Sequence, residues 1–246
     1  MRSETDNETL KKYRKHIFKL ALPALGESML ISFIMITDTA IVGRLGGKAL
    51  AVTGLSWTIY FFFLLILYAL NTGTVAVISR YIGANDQIDA ERALGQAILL
   101  NTTLGVIVTA ILWFFAENFF SFLGAEPDVK RQGVIYLKIL GSTYLAEALL
   151  STCNTSLRAA GDTKTPLKIT ATMNIINAIL AYCLVYGAFG LHGIGVIGSA
   201  IATATARVIG FALAFGGVMM GRFQISTCIK YIFRIKEKLL GKIFNI

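Results

Sequence analysis

The stretch "ISFIMITDTAIVGRLGG", residues 31–47, sets one carboxylate, Asp38, inside an apolar run. At membrane depth an acid costs several kcal/mol unless it is protonated, paired or wet. A carboxylate so placed can exchange a proton, or hold a cation together with neighbouring oxygens. The structural alternative is an acid near a helix end that simply reaches water, since Asp38 lies close to the end of its run. Glu27 precedes it by eleven residues, and eleven helical steps bring the two to within about 20° of one another on one face. Pro23 stands before both. A proline inside a helix removes a backbone hydrogen bond and permits a bend, which makes Pro23 a candidate hinge. A helix that bends and carries a titratable acid is a candidate moving part. Glu27 also reads as a packed hydrogen-bonding group beside Gly26 and Ser28, and Glu147 is open to the same two readings.

Other oxygens stand far along the chain. Asn174 and Asn177, three residues apart in "MNIINAILAYCLVYG", share a helix face. Amides there either bond across helices or complete an oxygen site with Asp38. Thr203 in "SAIATATA" is a third candidate, with a bond back to its own helix as the alternative. Asp38, Asn177 and Thr203 together would suit either a proton or a sodium ion. No enzyme chemistry competes with this reading. The histidines, His16 and His192, are far apart, and Cys153, Cys183 and Cys228 have no paired spacing. No cofactor and no transition-metal site are expected. "AGDTKTP" lacks the glycines of a phosphate-binding loop. "GIGVIG", Gly193 to Gly198, matches a dinucleotide fingerprint in letters alone, because no strand precedes it and the next acid is Glu237. Close helix packing is the expected use of those glycines.

The elements that must position these residues follow from composition. Of 246 residues 55% are hydrophobic and 15% charged, against roughly 25% charged in soluble domains. The mean hydropathy is +0.67. The expected class is an all-α polytopic membrane protein. Six runs satisfy the length of a spanning helix, at about 17–43, 53–79, 92–116, 133–157, 166–187 and 194–219. The first is too long for the core of a cleavable signal peptide. The net charge of +9 sits at the two ends and in connectors, which suits anionic headgroups and excludes a nucleic-acid reading. Counting Lys and Arg in the tails, the connectors and the adjoining span ends, with Arg207 inside the sixth span set aside, gives 17 on the side of both termini against five on the other. Both termini are therefore expected in the cytoplasm, with the chain in the plasma membrane. Residues 1–16 form a cytoplasmic tail in this reading and 17–221 a six-helix lobe. Residues 222–246 form a basic amphipathic tail or linker on the membrane surface.

Taken in order, "LALPALGESML…DTAIVGRLGGKALA", "VISRYIGANDQIDAERALGQA", "SLRAAGDTKTPLKI" and "NIINAILAYCLVYGAFGLHGIGVIGSAIAT" resemble the multidrug and toxic compound extrusion (MATE) family. The resemblance runs from about Lys19 to Gly221. It implies a fold of two six-helix lobes and export of organic cations or amphipathic drugs, driven by inward proton or sodium flow. It also implies that Asp38 is the coupling acid, that Pro23 is the bending proline, and that Asn177 and Thr203 accompany the acid. Two departures follow. Many members carry a second acid in span five, where this chain has Ala181, and a single carboxylate favours a proton over sodium. The chain also holds one lobe. A fragment of a full transporter, a half that pairs with a separate second lobe, and a parallel homodimer are the three accounts of that. A non-transporting remnant or membrane scaffold is the competing function.

Overall fold

The computed structural model describes residues 2–187, 192–227 and 231–232, with side chains before residue 21 described only at Arg14 and Phe18. The described residues form eight helices and no strand. They are α1 (Arg2–Gly43), α2 (Gly47–Gly83), α3 (Gln87–Phe114), the short α4 (Ala116–Phe122), α5 (Pro127–Ser142), α6 (Tyr144–Ala159), α7 (Lys164–Tyr186) and α8 (Val196–Met219). Five of them are long and apolar enough to cross a membrane. The α5–α6 pair supplies a sixth span when taken as one broken helix bent by 45°.

Local chemistry sets these boundaries. No glycine or proline interrupts residues 1–22, so α1 propagates from Arg2 through the segment expected as a tail. Asp86 caps α3 by accepting the Asp89 N–H at 3.1 Å. Asp162 accepts the N–H groups of Lys164 and Thr165 at the start of α7. Proline at the first turn of α5 needs no N–H partner. The fourth span was expected unbroken. It bends after "GS", where the Thr143 hydroxyl donates to the Leu140 carbonyl at 3.0 Å and competes with the helical ladder.

The helices pack as one bundle, with α7 lying against both α1 and α8, and α6 against α3, α8 and α2. "GIGVIG" closes the α7–α8 contact as its glycines suggest. A Cβ on Gly198 would lie 2.7 Å from the backbone of Leu184, and one on Gly193 2.9 Å from that of Tyr186. Two apolar clusters fill the interior, one around Tyr60, Leu112, Phe120 and Tyr136, the other around Ile78, Leu94, Leu157 and Val218. A polar layer lies between them. Asn71 Nδ2 donates to Ser151 at 2.9 Å, while Asn71 Oδ1 accepts from Asn101 and Thr152, each at 3.3 Å. After α8 the chain folds back onto α3, where Ser226 donates to Glu91 Oε1 and Thr227 to the Glu91 carbonyl. Ile225 and Ile232 are buried there. Most of the basic amphipathic segment expected over 222–246 lies outside the described residues.

Candidate functional site

Helix α1 is anchored through its buried face. Glu27, Asp38 and Val42 are all less than a tenth exposed, whereas Leu22, Leu25, Met29, Phe33 and Ile36 on the outer face are more than half exposed. This is the amphipathic division of a helix at the margin of a bundle.

Asp38 is buried among three helices. Asn177 Nδ2 on α7 donates to Thr203 Oγ1 on α8 at 3.1 Å, and Thr203 Oγ1 donates to Asp38 Oδ2 at 3.4 Å. This relay gives the carboxylate one donor. Its other oxygen, Oδ1, has no hydrogen-bond partner, and neither has Asn177 Oδ1. Two buried acceptors without donors are completed by a proton on the acid or by a cation between oxygens. Asp38 lines a cavity of about 230 Å³ together with Met35 and Thr39 of α1, Trp57 of α2, Tyr136 of α5 and Ser199 of α8. Thr203 and Asn177 do not line it.

The remaining candidates lie elsewhere on α1 and α7. Glu27 accepts from Arg158 Nη1 on α6 with both oxygens at 2.8 Å, and from Thr170 on α7 at 3.4 Å. It is thus held in an ion pair three turns from Asp38, although both acids occupy one face. Asn174 Nδ2 donates to the Leu30 carbonyl at 2.6 Å and ties α7 to α1. Tyr186 adds a similar tie to the Ile41 carbonyl at 2.5 Å. Pro23 lies inside α1, which is helical on both sides of it. Ala181, at the position where many family members carry a second acid, is fully buried one turn from Asn177. No group of three or more His, Cys, Asp or Glu suited to a metal occurs among the described residues.

A second charged assembly escaped the sequence reading. Arg207, one turn beyond Thr203 on α8, is buried with Glu147 of α6, Nε to Oε2 at 3.2 Å. Its Nη1 donates to the Tyr60 hydroxyl at 2.9 Å. The guanidinium stacks 4.6 Å from the Tyr60 ring and 5.5 Å from that of Trp57. Trp57 also walls the Asp38 cavity, and Arg207 lies within electrostatic reach of Asp38. The available signal was a count of ionisable residues within the spans. Such residues are costly singly and pair with one another, and Glu147 and Arg207 have opposite signs.

The chain is similar to known proteins. A family model described as MatE matches residues 23–183. A probable multidrug resistance protein NorM of Thermotoga maritima is 32% identical over 203 residues, covering 82% of this chain and 44% of that protein. An uncharacterized transporter, YisQ of Bacillus subtilis, is 26% identical, covering 94% of this chain and 50% of that one. Among solved structures, an outward-facing multidrug resistance MATE family transporter of the MOP superfamily superposes with a TM-score of 0.87 at 22% identity, over 94% of this chain and 51% of its own. The chain spans about half the length of the relatives it matches.

Proposed function

The chain belongs to the MatE family, and from that premise we propose that it is one six-helix lobe of a secondary exporter in which Asp38 couples ion entry to efflux of organic cations or amphipathic drugs. The observation that carries this is the buried Asp38, with a hydroxyl donor on one oxygen and none on the other. Such an acid can load and unload a proton without rearranging a coordination shell. With Ala181 one turn from Asn177, no second carboxylate joins it on α7, which supports a proton over sodium as the coupling ion. An apolar cavity with one acid in its wall suits an amphipathic cation.

Export needs a second six-helix lobe in this reading, supplied by the rest of a longer protein, by a separate partner or by a parallel second copy, since one lobe cannot alternate access around a central cavity by itself. Both termini lie in the cytoplasm and the lobe in the plasma membrane, as the charge bias supports. The test is efflux from vesicles energised in turn by a pH gradient and by a sodium gradient. Asp38→Asn is expected to abolish pH-driven efflux while the protein stays in the membrane. Unchanged efflux removes Asp38 from the mechanism, and efflux that follows sodium alone replaces the proton. A second reading, a non-transporting remnant or membrane scaffold, is favoured by Asn177 and Thr203 not lining the cavity wall beside Asp38. Absence of efflux under both gradients, with or without a second lobe, would establish that one.

A further inference from the structure

Helix α6 carries polar side chains at Glu147, Ser151, Asn154 and Arg158. Steps of four, three and four residues keep all of them within about 60° on one face and spread them over about 16 Å of helix. A flanking face, with Leu150, Cys153 and Leu157, is buried in the apolar cluster. The polar face points into the lobe, as its partners show. Glu147 meets Arg207 of α8, Ser151 accepts from Asn71 of α2, and Arg158 holds Glu27 of α1. Glu27 and Asp38 on α1 are also eleven residues apart, the spacing of Glu147 and Arg158. The stripe therefore begins at the charged pair next to the Asp38 site and ends at the ion pair nearer the start of α1.

Its polar groups are not all satisfied from within the protein. Asn154 is 7% exposed and its Oδ1 has no hydrogen-bond partner. The same holds for Oδ1 of Asn101, whose amide binds Asn71 next to Ser151. Buried acceptors at this depth cost free energy unless water reaches them, and buried water settles where two to four polar groups converge. We propose that the α6 stripe holds a file of water molecules running through the lobe from the Glu147–Arg207 pair to the Glu27–Arg158 pair, giving the Asp38 neighbourhood an aqueous route to the membrane side where α1 begins. Asn154 and Ser151 are its water-binding positions, and the two ion pairs fix its ends. That the route serves proton movement rests on the exporter reading; the water file itself does not.

The test is thiol reactivity in membranes containing the full chain. Ser151→Cys and Asn154→Cys are small changes on the stripe. Native Cys153, fully buried on the apolar face, is the internal control. A small cationic methanethiosulfonate reagent reacts with thiolate, which forms only where water reaches. Site-resolved mass spectrometry should find positions 151 and 154 labelled roughly tenfold or more faster than Cys153. Both as slow as Cys153 would overturn the proposal. In an Asn154→Leu background, with reagent supplied from the side where α1 begins, labelling of Ser151→Cys should fall to the Cys153 rate. An unchanged rate would also overturn it, because water would then reach Ser151 by another path. Labelling requires no transport. Fast labelling together with no efflux under either gradient, with or without a second lobe, would therefore sink the exporter reading and leave the water file standing.

Discussion

Asp38 and Arg207 solve the same problem in different ways. Each is an ionisable group buried in a bundle of apolar spans, where an isolated charge is expensive. Arg207 is paired with Glu147, donates to Tyr60 and lies over two ring faces, an arrangement that holds its charge in place. Asp38 has one long bond from Thr203 and an oxygen left over, an arrangement that leaves its charge free to change. Removing one partner of this ion pair strands the other. Arg207→Met is therefore expected to cost about 3–5 kcal/mol, read as a lower thermal-unfolding midpoint in detergent, and adding Glu147→Gln should recover part of the loss. Thr203→Ala removes only a hydroxyl and is expected to cost about 1 kcal/mol or less. It should slow pH-driven efflux several-fold, with Thr203→Ser restoring it; efflux equal to that of the unaltered chain would show that the hydroxyl does not position the acid.

At the scale of elements, the ties that hold α1 to the bundle among the described residues fall after Pro23. Glu27 meets Arg158, Leu30 meets Asn174, Asp38 meets Thr203, and Ile41 meets Tyr186. A bend at the proline would turn one part of α1 against a part held at these points. Pro23→Ala gives the helix back an N–H and relieves a ring clash that in helix interiors costs about 3 kcal/mol. The substitution is expected to raise thermal stability and to slow efflux; higher stability with unchanged efflux would mean that bending is not used. The α7–α8 contact is a firmer constraint. Gly198→Leu drives a side chain into the Leu184 backbone, 2.7 Å from where its Cβ would sit, whereas Gly54 on α2 has open space at the same point. Gly198→Leu should lower the unfolding midpoint and separate Asn177 from Thr203, while Gly54→Leu should leave the midpoint near that of the unaltered chain.

For the whole molecule, the decisive quantity is the apolar surface a single lobe presents. Leu22, Leu25, Met29, Phe33 and Ile36 make a continuous exposed stripe along α1, which in a membrane faces either lipid or another lobe. Cysteine at Met29 or Phe33 is expected to crosslink in native membranes to a second six-helix lobe or to a second copy of this chain. Monomers alone, together with absent efflux, would dismiss both assemblies.

The sequence by itself determined the membrane class, the helical spans, the lone acid of the first span, the proline before it and the family. These are local properties: a run of apolar side chains about 20 residues long needs no partner to be recognised. It also placed Asn177 and Thr203 as candidates. Only the tertiary structure decided which polar groups meet. Thr203 reaches Asp38 across 165 residues of chain and Arg158 reaches Glu27 across 131. Glu27 and Asp38 share a face, and nothing local says that one is locked by arginine while the other keeps an oxygen free. Partner choice between helices depends on their rotation and on how closely they pack, and that is set by side chains distributed over the whole bundle.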